Sequence, residues 1–379
     1  MNIGINGYEA VVSRFGFDKK TNLPVRVGSG EYAYELLLEL SKVDKKNNYY
    51  VYLPIKPTRD MPSENKQWRY IVFPSKKLWT LLGLSNKLLK NKEKINVFFS
   101  PTHYLPPIAP KSVISILDVS YLKFPDLFKK KDLYQLKIWG RLSIKKAKKI
   151  LTISESSKSD IIKYYGVKPD KIRVIYPGVK EILNIKYKIL NMEELKKKFG
   201  IEKEYILFVG TIQPRKNIIR LIEAFVKLDK NLQLVIVGKK GWQYEEILEV
   251  PKKLGVSDKV LFIDSASDED LPSFYKSAKM FVLPSLYEGF GLPILEAMQN
   301  GCPVITSNIS SLPEAGGDAA LYVDPENVED IKEKMEKLLS DEGLRKEMIE
   351  KGYQQVKKFS WEKSAKETLK VLEEVGRAS

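Results

Sequence analysis

The sequence predicts an α/β protein built from two doubly wound domains. Short β-rich apolar runs alternate with amphipathic helical patterns of roughly 10–20 residues along the whole chain, which is the βαβ signature of parallel sheets. Several runs are continuously apolar, as strands buried on both faces are. The length of 379 residues, 43% of them hydrophobic, suffices for two cores.

In the first half the strand candidates are Asn2–Asn6, Tyr49–Leu53, Tyr70–Phe73, Asn96–Phe99, Val113–Leu117 and Ile150–Ile153. In the second half they are Tyr205–Val209, Gln233–Val237, Val260–Ile263, Phe281–Leu283, Val304–Thr306 and Leu321–Val323. The alternation dips around Tyr176–Tyr187, where Pro177 and Gly178 break it. The expected domains are therefore 1–178 and 183–360, with the C-terminal helix, 361–379, able to pack back on the first.

The composition excludes several classes. A charged fraction of 30% with 11% aromatics argues against wholesale disorder. Without a run of about 18 apolar residues no membrane-spanning helix is expected. The N-terminus lacks a basic segment followed by an apolar one, so no signal peptide is expected and the location reads as cytoplasmic. One cysteine, Cys302, cannot build a disulfide framework or a cysteine-based zinc site, and at a strand start it reads as a small buried residue. The net charge of +16 sits entirely in the first half: residues 1–180 hold 34 Lys and Arg against 15 Asp and Glu. That asymmetry suits an anionic partner or a solvated lysine-rich surface.

Ligands of open α/β sheets bind beyond the carboxyl ends of the strands. After Tyr205–Val209 come Gly210, Thr211, Ile212, Gln213, Pro214, Arg215, Lys216 and Asn217. Two cations at a helix start oppose its dipole, so an anion is expected beside Arg215 and Lys216, and a diphosphate suits a fork and a point charge. The later loop reads Pro284-Ser285-Leu286-Tyr287-Glu288-Gly289-Phe290-Gly291-Leu292-Pro293, and runs into a helix carrying Glu296. Gly289 and Gly291 leave backbone N–H groups open to phosphate, and the two carboxylates suit sugar hydroxyls.

Glu288 and Glu296, with seven residues between them, resemble the paired-glutamate motif of the retaining glycosyltransferases of family 4, which have the GT-B fold of two facing Rossmann-like domains with a cleft between them. Residues 210–217, Val237-Gly238-Lys239-Lys240-Gly241-Trp242 and Ser310-Ser311-Leu312-Pro313-Glu314-Ala315-Gly316-Gly317-Asp318-Ala319-Ala320 are similar to its mannosyltransferase-like branch. The resemblance implies that Gly210, Arg215, Lys216, Gly289, Phe290, Gly291 and Leu292 bind the donor. It implies that Glu288 contacts the transferred sugar and Glu296 the ribose. The implied donor is a nucleotide sugar, GDP-mannose first and a UDP-sugar second, with no cofactor. The implied acceptor is a glycan or lipid-linked oligosaccharide of a surface polysaccharide such as a lipopolysaccharide.

On the acceptor side the candidates are Gly28, Ser29, Gly30 and Tyr32 in the loop and helix after the first strand, and His103, the single histidine, after the fourth. Relatives carry His-Asp where this chain has Leu117-Asp118. The histidine that could act as base is thus replaced, and Asp118 remains as an orienting carboxylate. No metal is expected: Asp268 and Asp270 read as acids of a helix first turn capped by Ser267. Two lysine-rich stretches bear on membranes. Residues 76–90 combine Lys76, Lys77, Lys87 and Lys90 with Leu78, Trp79 and Leu82, and read as interfacial. Residues 127–149 read as an ordinary helix with its apolar face in the core. A nucleic-acid-binding protein accounts for the charge but not for the glutamates, and nucleic acid is not an expected partner. A hydrolase-like or epimerase relative and a non-catalytic carbohydrate-binding protein of the same fold remain as alternatives.

Overall fold

The computed structural model describes residues 1–75, 78–90, 94–180, 189–228, 230–264, 266–267 and 269–378. The chain divides into two compact units. The first holds 1–123, 129–178 and 360–379, and the second holds 124–128 and 179–359.

The first unit is a sheet of β1 (Asn2–Asn6), β2 (Asn48–Leu53), β3 (Trp68–Val72), β4 (Val97–Ser100), β5 (Ser112–Ser115), β6 (Lys149–Thr152) and β7 (Ile172–Val174), in the order β3-β2-β1-β4-β5-β6-β7. Every ladder is parallel. The connecting helices are α1 (Tyr8–Val11), α2 (Ser29–Val43), α3 (Leu84–Leu89), α4 (Ser120–Lys123), α5 (Lys130–Lys146) and α6 (Glu155–Tyr165). A π-turn, Trp79–Gly83, runs directly into α3. Ile3, Ile5, Val51, Phe98 and Ile114 are fully buried between the helical layers.

The second unit is a sheet of β8 (Tyr205–Val209), β9 (Gln233–Val237), β10 (Val260–Ile263), β11 (Met280–Leu283), β12 (Val304–Ser307) and β13 (Ala320–Val323), in the order β10-β9-β8-β11-β12-β13, again all parallel. Its helices are α7 (Met192–Phe199), α8 (Ile218–Val226), α9 (Glu245–Lys253), α10 (Leu271–Ser277), α11 (Leu292–Gln299), α12 (Leu312–Gly316), α13 (Val328–Ser340) and α14 (Glu342–Val356). In both sheets the chain starts centrally, moves outward one way, then returns to build the other side. This is the Rossmann order, with a switch point beside β1 and beside β8. The last helix, α15 (Trp361–Arg377), belongs to the first unit, where it packs on α2 and on β4–β6.

Most strands start or end within two residues of the expected bounds, and β8, β9 and β10 match them. The strand expected over Val113–Leu117 stops at Ser115, because the chain turns out at its carboxyl edge. β7 had no sequence signal: three residues, one of them Arg173, give no period to read. The expected linker, Tyr176–Tyr187, lies largely outside the described residues, and the two units meet in sequence between Gly178 and Val179. Glycine is obligatory at Gly238, where a Cβ would lie 1.9 Å from the Gly210 carbonyl oxygen. The carboxyl ends of β8 and β9 can approach so closely only because that side chain is missing. Among the described residues no helix is long and apolar enough to cross a membrane.

Candidate active site

The segment after β8 does not open directly into a helix. Pro214–Lys216 form a 3-10 turn, and α8 begins only after Asn217, a non-glycine residue at φ +59°. Asn217 can hold that left-handed conformation because its amide is fixed at both ends of a gap. Its Nδ2 donates to the Pro284 carbonyl at 3.0 Å and to the Pro325 carbonyl at 2.6 Å. The Leu286 N–H donates to the Arg215 carbonyl at 2.9 Å. The loops after β8 and β11 are thereby stitched together at the carboxyl edge of the sheet.

Glu288 stands at the centre of this arrangement, 7% exposed. Lys216 Nζ lies 2.6 Å from its Oε1, and the Ser285 hydroxyl donates to the same oxygen at 2.7 Å. Arg215 Nη1 lies 3.1 Å from Oε2 and also donates to the Tyr287 carbonyl. Burial pushes the Glu288 carboxyl up, but the Lys216 and Arg215 charges outweigh it and hold its pKa at about 2. An arginine fork and a lysine point charge held together in this way are the kind of groups that bind phosphate.

Two serines hold the backbone of Glu288. The Ser310 and Ser311 hydroxyls donate to its carbonyl at 2.7 and 2.8 Å, and its N–H donates back to Ser310 Oγ at 3.2 Å. Ser310 is held at φ +60°, a strained conformation for serine. Ser310→Gly keeps the backbone and loses the hydroxyl, whereas Ser310→Ala loses both, at roughly 1 kcal/mol for each effect. Turnover should fall about tenfold in both variants, and the alanine variant should melt lower than the glycine one. Wild-type turnover in both would remove Ser310 from the positioning of Glu288.

Glu296 is the fifth residue of α11 and half-buried. Tyr275 of α10, 1% exposed, donates its hydroxyl to Glu296 Oε2 at 2.8 Å. Burial, then the Glu296 charge, raises the Tyr275 pKa well above its usual value, so the phenol stays a donor. α11 starts after Gly291 at φ +107°, with Pro293 in its first turn. Phe290 does not serve as a donor-facing side chain: it is 2% exposed, its ring 5.3 Å from that of Phe359, so it brings only its backbone to this loop. Gly289 shares the loop, and Leu292 is half-buried at the helix start.

In the first unit, Gly28 precedes α2 at φ +53°. Helix α2 starts at Ser29, so Ser29, Gly30 and Tyr32 all lie on it. Ser29 Oγ lies 3.4 Å from Glu9 Oε2, and Gly30 lies against the Glu9 carbonyl. Tyr32 is not an acceptor contact: it is 3% exposed, its hydroxyl 3.3 Å from Ser115 Oγ and its ring against Trp361. Its place in the apolar period of α2 turns it into the core. His103 and Asp118 do come together, through the Asp118 carbonyl, 3.3 Å from His103 Nε2. Burial lowers the His103 pKa, opposed by the Asp118 charge. The Asp118 carboxylate caps α4 by accepting the Ser120 N–H at 2.9 Å. Leu117 is buried, 8% exposed.

Glu9 was not singled out by sequence reasoning. Burial pushes its carboxyl up, against the hydrogen bond from Ser29 and the Arg14 charge. The signal was a carboxylate three residues past β1, at the same sheet edge as Ser29. Ser310, Ser311 and Tyr275 stood inside recognisable segments, but nothing in the spacing said which way they point.

Asp268 lies outside the described residues. Asp270, not Ser267, occupies the position before α10, and that helix has no acid in its first turn. The Asp270 carboxylate accepts from Ser267 at 2.7 Å and pairs with Lys198 at 2.6 Å. Among the described residues no group of three His, Cys, Asp or Glu side chains is placed to hold a metal ion. Cys302 is buried, and burial pushes its thiol well above the usual range.

Residues 28–181 match the family model described as Glycosyltransferase Family 4, and residues 191–355 match Glycosyl transferases group 1. The O-antigen chain mannosyltransferase B of Escherichia coli is 33% identical over 72% of this chain and 73% of its own. The chain belongs to glycosyltransferase family 4. Within the family it groups with mannosyltransferase-like members. The serotype-specific mannosyltransferase WbdA of Escherichia coli is 38% identical over 58% of this chain, which spans 28% of that longer protein. The solved Anabaena HepE, in complex with UDP and glucose, shares the fold at a TM-score of 0.72 and 16% identity, over 98% of this chain and 99% of its own. The family 4 chain is a glycosyltransferase of GT-B architecture.

Proposed function

We propose that this glycosyltransferase moves mannose, with retention of anomeric configuration, from GDP-mannose to a glycan or lipid-linked oligosaccharide during assembly of a surface polysaccharide. The observation that carries the reading is the buried group of Glu288, Arg215 and Lys216 at the carboxyl edge of the sheet. A donor diphosphate is the anion proposed for its two cations. Arg215 then contacts it as a planar fork and Lys216 as a point charge, while Gly210, Gly289 and Gly291 let the backbone come close. Glu288 turns toward hydroxyls of the transferred sugar, and Glu296, held by Tyr275, accepts from the ribose. Mannose is supported by the names of the relatives at 33% and 38% identity. A UDP-sugar is the second reading, favoured by the UDP in the HepE structure.

The proton of the acceptor hydroxyl goes to the leaving phosphate. Leu117 cannot take it, so the protein supplies positioning and charge stabilisation. Two fixed cations neutralise the departing diphosphate, and the reaction is proposed to need neither divalent metal nor cofactor. The acceptor is assigned to the first unit, near Gly28, Ser29, Gly30 and His103, with Asp118 orienting His103 through its carbonyl. A lipid-linked acceptor calls for reversible attachment of that basic unit to an anionic membrane surface. Of the lysines expected to serve it, Lys76 and Lys77 lie outside the described residues.

A thermal-shift panel of GDP-mannose, UDP-glucose, UDP-galactose and free nucleotides, run with and without EDTA, tests the donor. A ligand at 100 times its Kd stabilises the fold by about 2.7 kcal/mol. GDP-mannose should raise the melting temperature most, with EDTA making no difference. No shift with any nucleotide would sink the reading, and loss of the shift in EDTA with rescue by manganese would overturn metal independence.

A further inference from the structure

The switch point beside β1 holds polar groups that the first unit leaves nearly unsatisfied. Glu9 lies three residues past β1, half-buried, at the start of α2. Its carboxylate receives one hydrogen bond, from the Ser29 hydroxyl at 3.4 Å, although a carboxylate can accept about four. Carboxylates drawn out of water usually take more partners than that. The α2 dipole and the Arg14 charge favour its ionised form. Tyr104 stands in the loop after β4, the strand that pairs with β1. Burial, then the Asp132 and Glu9 charges, pushes its phenol up to about 12, so it stays a donor. Among the described residues the Tyr104 hydroxyl has no hydrogen-bond partner.

A hollow opens beside Glu9 along the same edge. Tyr8, its neighbour on α1, lines a cavity of about 340 Å³ at the carboxyl ends of β1, β2 and β3, together with Ile55, Ser75, Leu78 and Trp79. The Trp79 indole packs on the Tyr8 ring at 5.5 Å and on the Phe73 ring at 4.8 Å, and its Nε1 donates to the Phe73 carbonyl at 3.0 Å. The aromatic wall is therefore fixed. The Tyr8 hydroxyl, like that of Tyr104, has no partner among the described residues.

These groups select one ligand chemistry. A sugar ring has apolar C–H faces that pack on aromatic rings, and hydroxyl edges that donate to a carboxylate and accept from phenols. A phosphate at this point is repelled by Glu9. A purely apolar ligand leaves the carboxylate and both phenols without partners.

We propose that Glu9 and the neighbouring hollow form a two-ring track for the acceptor glycan. Glu9 binds hydroxyls of the sugar that receives the new residue, and the hollow between Tyr8, Ile55 and Trp79 holds the sugar behind it. The assignment rests on the transferase reading and adds to it a preference for acceptors at least two sugars long. The second ring binds equally before and during reaction, so its contribution falls on the acceptor KM.

Transfer from GDP-mannose to methyl α-mannoside and to an α-linked mannobiose tests the track, alongside saturation-transfer NMR of mannobiose with the protein and no donor. The parent should favour mannobiose about tenfold or more in kcat/KM, and both rings of mannobiose should receive saturation. Ile55→Trp fills the hollow from an exposed position and should level the two acceptors. Tyr8→Phe keeps the ring and should narrow the preference by a smaller factor, about threefold. Glu9→Gln should raise the KM of both acceptors about tenfold or more, the effect falling on KM rather than kcat. Melting temperature and the shift induced by GDP-mannose should match the parent in all three variants. Equal use of the two acceptors by the parent overturns the proposal, as does a mannobiose preference that survives Ile55→Trp, or a parent-like KM in Glu9→Gln. In octyl α-mannoside, saturation that reaches the alkyl chain and not the ring would give the hollow to a lipid and overturn it too. Saturation of both mannobiose rings, lost in Ile55→Trp, without any transfer would refute the GDP-mannose reading and leave the track standing.

Discussion

Lys216→Ala should lower kcat/KM about 10- to 100-fold, the effect expected for losing one charge-assisted bond to phosphate worth roughly 1.5–3 kcal/mol. Arg215→Ala should fall in the same range. The lysine variant should also melt lower, because Glu288 then keeps only Arg215 as a charged neighbour among these three groups. Breaking a buried pair costs about 3–5 kcal/mol when the remaining charge is left alone, and less here. Glu288→Gln in the Lys216→Ala background should therefore cost less than the sum of the single changes. Acid gives an independent reading of the same group. The Glu288 carboxyl is depressed from 4.5 to about 2, so its stabilisation is present above about pH 4.5 and fades as pH falls toward 2. The stability gap between wild type and Glu288→Gln should hold near neutrality and close across that acid window. Additive single mutants and a gap independent of pH would dissolve the cluster into unrelated side chains.

The two glutamates should part company in kinetics. Glu288→Ala should fall on turnover, by about 100-fold or more, since on the proposed reading it withdraws the group that contacts the transferred sugar, and it leaves two cations without their carboxylate. Glu296→Ala should raise the donor KM about tenfold while sparing kcat, as loss of uniform binding does. Tyr275→Phe removes a single hydrogen bond to Glu296 and should raise the same KM by a smaller factor, about three- to tenfold. The tyrosine variant separates positioning from packing, because the ring stays in place. Equal effects of both alanine variants on kcat would contradict the division of roles.

Fold class and most strands were legible because parallel strands buried on both faces leave continuous apolar runs, as in Leu234–Val237, all buried. The paired glutamates were legible because their spacing carries them to one sheet edge. Spacing gives position along an element but not the direction of a side chain. Tyr32 and Phe290 lie in the expected loops and helices yet point into the core, and Tyr134, Ile138 and Leu142 follow a core-like period yet face solvent. The pairing of Glu288 with both cations is likewise non-local, joining residues more than 70 positions apart. No window along the chain can show it. Ser267 reads as a helix cap from its neighbours, and its hydroxyl does accept the Asp270 N–H at 3.2 Å while donating to the Asp270 carboxylate at 2.7 Å, although α10 itself starts only at Leu271.

The central claim is glycosyl transfer from GDP-mannose at the Glu288 centre. Proton NMR of a reaction of the enzyme with GDP-mannose and a mannose-terminated oligosaccharide, in EDTA, tests it most directly. The account predicts release of GDP matched by a new α-linked mannose, preserving the configuration of the donor, and loss of that signal in Glu288→Ala. A β-linked product, or undiminished transfer by Glu288→Ala, would contradict it.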